Sequence, residues 1–295
     1  MLFRSDYNLP LTHGPNDLGF DYFFGIAGSL DMTPYCYIEN NYSVGIPMGI
    51  KSPLYNQQRP GPVAPGWKDE QVDTTCTQKA VDFIKDHAKN QPDQPFFLYM
   101  TPAAPHRPCE CRPEFVIGKS QAGDRGDMVV LFDWIVGQVV DTLKENNLFE
   151  NTIIMITSDN GARATCANGK SYGHLSNGHL RGQKADIWDG GHREPFIAVW
   201  KNHIAPNSFS NSLISLMDVF ATIADLLDFQ IPENAAEDSI SFLPALQFKT
   251  KKSLSKSRES LIHHSSKGIF SIRKGEWKFI RSEERRVGKE CRSRW

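Results

Sequence analysis

Three clusters in the sequence carry residue types that can act on an anion. The first is Ser158-Asp159-Asn160-Gly161, which follows directly on the apolar run Ile153-Ile-Met-Ile-Thr157. A carboxylate and a carboxamide at the end of a buried strand are hard oxygen donors, placed where an open α/β sheet builds its site, and they suit a divalent cation. The same four residues are also good turn chemistry, because Asn and Gly tolerate positive φ. The second is His106, reached from Phe96-Phe-Leu-Tyr-Met100 through Thr101-Pro-Ala-Ala-Pro105 and followed by Arg107-Pro108. Prolines on both sides restrict the backbone and position the imidazole, the plain alternative being an exposed loop histidine. The third runs from Gly173 to Pro195 and holds Arg181, Lys184, Arg193, three histidines and several glycines. Bare backbone and cations in such a loop can approach an anion closely. Lys184 offers a point charge for a tetrahedral oxyanion, whereas arginines more often brace loops through carboxylates. A solvated Gly-rich loop is the alternative there.

The elements that must hold these residues are legible as apolar periodicity. Asp73–Lys89 predicts an amphipathic helix with Cys76, Ala80, Val81, Phe83, Ile84 and Ala88 near one face, stopped by Pro92 and Pro95. Phe96–Met100 is a continuous apolar run of strand length, as expected of a parallel strand covered on both faces. A second helix is predicted from about Asp127 to Asn146, then strands at Ile153–Thr157 and Phe196–Trp200, then a helix over Ser215–Leu227. That order indicates a mainly parallel α/β sheet. Ser5–Trp67, dense in Gly, Pro, Asn and aromatic residues, predicts long irregular structure of the kind that wraps a site. Lys249–Arg258 reads as a polar linker, and Gly268–Ile272 with Glu276–Ile280 as a short hairpin.

Composition narrows the partners. With 33 basic and 34 acidic residues in 295, the formal charge is -1, so no global field favours nucleic acid or an anionic membrane, and an anionic substrate must be held locally. No stretch approaches the roughly 18 apolar residues of a membrane span. Met1-Leu-Phe-Arg-Ser-Asp6 lacks the apolar centre of a signal peptide and falls at once into loop-like sequence. The cysteines at 36, 76, 109, 111, 166 and 291 have no metal-finger spacing, and both free thiols and one or two disulfides fit them. Residues 281–295 turn abruptly charge-rich and are expected to be a tail or an assembly scar.

Taken in order, these clusters resemble the sulfatase family, of the arylsulfatase A or N-acetylgalactosamine-6-sulfatase type. The resemblance runs through Gly14-Pro-Asn-Asp-Leu-Gly-Phe-Asp-Tyr-Phe-Phe-Gly25, Tyr99-Met-Thr-Pro-Ala-Ala-Pro-His106 and Thr157–Gly161. It continues through Leu180-Arg-Gly-Gln-Lys184, Asp189-Gly-Gly-His-Arg-Glu-Pro195, Ser215–Thr222 and Ile272–Lys278. It implies an alkaline-phosphatase-like α/β sandwich over residues 1–245, the start of a small β-containing subdomain over 246–280, and a non-native-looking tail at 281–295. It further implies hydrolysis of an aryl or carbohydrate sulfate ester by a formylglycine nucleophile beside calcium. Carried over by position, Asp159 and Asn160 look like calcium ligands, and His106 like a histidine that binds sulfate or handles the leaving-group proton. Lys184 looks like the sulfate-binding lysine. His174 is a candidate for facing substrate, and Asp189 with Arg193 for holding the loop that presents Lys184.

The departures matter as much. The nucleophile motif Cys/Ser-x-Pro-x-Arg occurs nowhere in the 295 residues; Cys111-Arg-Pro113-Glu-Phe115 comes nearest but lacks the arginine and follows His106. The family's paired aspartates and its Gly-Lys-x-His stretch are likewise not found. The expectation is therefore a sulfatase lacking its amino-terminal portion and first strand, with weak calcium binding and no hydrolysis as it stands. Two alternatives are a phosphodiesterase or phosphonate hydrolase of the same superfamily, and a non-catalytic protein that binds sulfated glycans. Secreted, periplasmic or lysosome-like placement is what the resemblance implies.

Overall fold

The computed structural model describes residues 6–55, 57–163, 172–246 and 258–281. The expected tail beyond Arg281, nearly all of the expected linker, Cys166 and Cys291 lie outside them. The chain divides into two compact units, the first with described residues up to Phe149 plus 172–174, the second with 150–163 and everything described from Leu175 on.

Helices organise the first unit. Helix α1 (Val72–Asn90) buries Val72, Ala80, Val81 and Ile84, and helix α2 (Gly123–Glu145) buries Met128, Leu131 and Ile135. Spacings of three, four and eight on α1 and of three, four and seven on α2 put the apolar side chains on one stripe of each helix, and the two helices pack together. The stripe of α2 closes over Ala104, Cys109 and Val116, so the segment around His106 is part of the core. Full burial of each large apolar side chain contributes about 1.5–3 kcal/mol. The Gly- and aromatic-rich segment before α1 holds short antiparallel strands. β1 (Phe24–Ile26), β2 (Tyr37–Glu39) and β3 (Tyr42–Val44) form one sheet, and β4 (Gly49–Lys51) pairs with β5 (Gly61–Val63).

Phe96–Met100 departs from expectation. It joins no ladder among the described residues, and its side chains alternate, with Phe97 57% and Tyr99 69% exposed. Apolar composition marks a segment for burial, but a strand also needs a hydrogen-bonding neighbour, and the described residues offer it none. Phe96 packs edge-on against Phe83 of α1 with ring centroids 5.7 Å apart.

The second unit is built on β6 (Ile153–Thr157) and β7 (Phe196–Trp200), paired from Ile153 opposite Trp200 to Thr157 opposite Phe196. Both strands fall where the apolar runs place them, but the pair is antiparallel. The described residues between them hold no α-helix, and a parallel neighbour needs a long crossover, usually a helix. The sole parallel contact among the described residues is the Tyr35–Val63 bridge. Helices α3 (Asp218–Leu226) and α4 (Leu243–Leu246) follow. The expected hairpin is real, as β9 (Phe270–Lys274) and β10 (Trp277–Ile280), but β8 (Ser260–His264) adds a third antiparallel strand. Its Ser and His content hid it from a reading by apolar runs.

Candidate active site

Glycines build the tip of β6. Gly161 donates its N–H to the carbonyl of Gly191 at 3.2 Å, and a Cβ on Gly161 would lie 1.9 Å from the carbonyl oxygen of Gly190. Only a bare backbone fits there. Gly190 in turn donates to the carbonyl of Arg181 at 2.7 Å, and Lys184 donates its N–H to the carbonyl of Ala162 at 3.3 Å. Asn177 closes the arrangement: its Oδ1 accepts from the N–H of Ala162 at 3.0 Å, and its Nδ2 donates to the carbonyls of Ala162 and Gly182 at 2.9 and 3.1 Å. The loop carrying Lys184 is thus tied by main-chain bonds to the residues just after Asp159-Asn160. Arg181 lies flat over the Trp188 ring, 3.7 Å from its centroid, a cation–π contact that braces the loop.

The antiparallel register of β6 and β7 brings in a residue that carried no role in the sequence reading. Glu194, two residues before β7, lies close enough to Asp159, two residues after β6, to feel its charge. Burial, and then the Asp159 charge, push the Glu194 carboxyl up to about 7, and its Oε1 has no hydrogen-bond partner among the described residues. Two neighbouring carboxyl groups and a carboxamide are hard oxygen donors, which fit a divalent cation. No three His, Cys, Asp or Glu residues converge on such a site among the described residues, so the donor set is short. The signal for Glu194 was pairing register, which a single sequence does not display.

His106 belongs to the first unit. Asp73, buried at the start of α1, accepts the N–H groups of Ala103 and Ala104 at 2.7 and 2.9 Å, and so fixes the loop leading to it. Burial pushes the Asp73 carboxyl up, although these two N–H groups pull the other way. His106 sits between the cis bonds Ala104–Pro105 and Arg107–Pro108. Its Nδ1 lies 2.9 Å from the carbonyl oxygen of Arg107. A carbonyl only accepts, so Nδ1 carries the proton of the neutral ring and Nε2 keeps its lone pair. His174, in the same unit, is exposed.

Asp189 and Arg193 are not the side-chain pair that the loop was expected to use. The N–H of Arg193 donates to the carbonyl oxygen of Asp189 at 2.8 Å. The Asp189 carboxylate instead accepts from Lys278 Nζ at 2.9 Å and from Arg273, both on the C-terminal sheet. Arg193 is exposed, while Asp189 is buried and needs cations buried with it. Burial raises the Asp189 carboxyl, but Lys278 and Arg273 outweigh it and hold it below the usual carboxylate range.

Comparison with known proteins gives these residues a setting. The Sulfatase family model matches residues 5–229. The chain is 32% identical to an N-acetylgalactosamine-6-O-sulfatase of Bacteroides thetaiotaomicron, over 94% of this chain and 60% of that protein. It is 36% identical to human N-acetylgalactosamine-6-sulfatase over 57% of this chain and 31% of that one. Among solved structures, a Bacteroides thetaiotaomicron sulfatase described with the metabolism of multiple glycosaminoglycans superposes with a TM-score of 0.77. Its identity is 30%, covering 94% of this chain and 64% of that one. The PsFucS1 sulfatase of Pseudoalteromonas shares the fold, at TM-score 0.68 and 24% identity over 90% of this chain and 55% of its own. The chain thus spans from about a third to under two thirds of the length of these relatives.

Proposed function

The chain belongs to the sulfatase family, and on that premise we propose that its site handles the sulfate group of a carbohydrate or aryl sulfate ester. The alkaline-phosphatase-like α/β class agrees with its structural neighbours. The observation that carries the reading is the set of main-chain bonds tying the Lys184 loop to the tip that bears Asp159 and Asn160. These bonds hold a candidate oxyanion-binding cation near candidate metal ligands. The glycan names of the similar proteins favour a sulfated sugar over a small aryl ester.

In this reading Asp159 and Asn160 hold calcium, which when bound supplies fixed positive charge to a sulfate oxygen. Lys184 places an ammonium against another oxygen, where it stabilises charge that grows on the transferring group. His106 offers Nε2, which accepts a hydrogen bond when free and donates a proton to a leaving oxygen once charged. His174, an exposed residue, is a candidate contact to the sugar. Formylglycine would supply the nucleophile, but the 295 residues hold no Cys/Ser-x-Pro-x-Arg from which it is made. On this reading the 295 residues by themselves bind a sulfate ester without hydrolysing it, and the missing motif also favours the second reading, a sulfated-glycan-binding protein. No described helix is long and apolar enough to cross a membrane, and placement outside the cytoplasm is part of the proposal.

Calorimetry of the purified chain tests this. Calcium followed by a sulfated N-acetylgalactosamine disaccharide is expected to bind, and Asp159→Ala or Lys184→Ala to abolish that binding. Calcium-independent binding that survives both substitutions would overturn the assignment. Release of nitrocatechol from its sulfate ester by this polypeptide would overturn the claim that it lacks a nucleophile.

A further inference from the structure

We infer that Asp31 is a positioning residue for His106, holding its ring with Nδ1 protonated and Nε2 open. The inference rests on the reading of His106 as a substrate-facing histidine, and it names what makes that ring usable. Asp31 lies in the turn after β1, in the stretch Gly28-Ser-Leu-Asp31, and its side chain is 1% exposed. A carboxylate so deeply buried is costly unless partners compensate it. Its partners come from its own turn and from the His106 loop, some 75 residues away in sequence. The Ser29 hydroxyl donates to Oδ1 and Arg107 Nε donates to Oδ2 at 3.0 Å, with His106 Nδ1 lying 3.7 Å from Oδ1.

The 3.7 Å separation is too long for a hydrogen bond, so Asp31 acts on the imidazole in two other ways. It anchors the Arg107 side chain, and the Arg107 carbonyl is the group that accepts the Nδ1 proton at 2.9 Å. It also faces the ring with a full negative charge. When Nε2 takes a proton the ring gains one positive charge, and that charge meets the Asp31 carboxylate rather than apolar packing. Burial pushes the Asp31 carboxyl up, but the Ser29 hydroxyl, then His106 and Arg107, outweigh it and hold it below the usual range. A buried carboxylate serving only as a loop anchor would need Arg107 alone; here the catalytic candidate shares it.

The test uses the whole chain labelled with 15N, reading the two ring nitrogens of His106 in a long-range proton–nitrogen spectrum assigned by loss of the signal in His106→Gln. The parent is expected to show a protonated Nδ1 and a bare Nε2. Asp31→Asn is expected to erase that preference, giving an averaged or reversed pattern in a chain whose other imidazole signals are unmoved. An unchanged pattern in folded Asp31→Asn overturns the inference. Should Asp31→Asn fail to fold, the carboxyl 13C titration of Asp31 decides. Its midpoint is expected to rise in His106→Gln, and an unmoved midpoint overturns the inference. Adding inorganic sulfate separates the two ideas: no response of the His106 ring sinks its substrate-facing role but leaves the tautomer result standing.

Discussion

The Asp189 carboxylate lies 2.9 Å from the Lys278 ammonium, and the two side chains are only 3% and 4% exposed. Arg273 reaches the second carboxylate oxygen, so one acid from the Gly-rich loop sits between two cations on the C-terminal sheet. The loop that ends in Glu194 and starts β7 is thereby fastened to a sheet that lies more than 80 residues further along the chain.

Asp189→Asn takes the carboxylate away from the buried Lys278 ammonium. The expected loss is about 3–5 kcal/mol of unfolding free energy in urea. Arg193→Ala, at an exposed position, is expected to stay within about 0.5 kcal/mol of the parent. Equal effects of the two substitutions would contradict the assignment of Asp189's partners.

Acid should loosen this same junction before it affects the rest of the second unit. His192 and His263 pack at a tilt with ring centroids 4.7 Å apart, and each has a buried ring nitrogen with no partner among the described residues. Burial, and then Lys278 and His192, push His263 down to about 4; burial and then Lys278 push His192 down as well, while Asp189 pulls both the other way. Between about 4 and the ordinary imidazole value of 6.5 the unfolded chain binds a proton that folded His263 refuses. Stability therefore rises with pH across that window, and falls on acidification by on the order of 1–3 kcal/mol. His263→Leu is expected to flatten the slope in melts recorded from pH 4 to 7, and an unaltered slope would rule out His263 as its source.

Two glycines give opposite expectations for one change. Gly161→Ala drives a methyl into the carbonyl of Gly190, and backbone cannot swing aside, so a loss of about 1–3 kcal/mol is expected together with release of the Lys184 loop. Gly137 lies within α2, and a Cβ there meets nothing within 4 Å, so Gly137→Ala is expected to add about 0.5–1 kcal/mol. Thermal melts of the two variants, with amide exchange at Lys184, check both signs.

Calcium gives a ligand-side prediction. On the proposed assignment of Asp159 and Asn160 as its ligands, with Glu194 nearby, the ion should raise the melting temperature by mass action. The stabilisation would be about 2.7 kcal/mol once calcium reaches a hundredfold excess over its dissociation constant. Chelation should reverse the gain, and Asp159→Ala should remove it. A gain of equal size in Asp159→Ala would place the ion elsewhere.

Local pattern alone determined a good part of this protein. The stripes of α1 and α2 and the two runs that became β6 and β7 follow from side-chain periodicity, which acts over a few residues. The motif order was equally legible, and family membership with it. Tertiary structure decided what each segment meets. Phe96–Met100 is as apolar as β6, yet it forms no ladder among the described residues, because pairing depends on a neighbour that composition does not name. Glu194 comes near Asp159 because β6 and β7 pair antiparallel, and Asp189 meets Lys278 and Arg273 rather than the nearby Arg193 because a buried charge demands partners that reach it. Asp31 beside His106 is the same lesson at long range: the sequence holds both residues, and folding alone brings the charge to 3.7 Å from Nδ1.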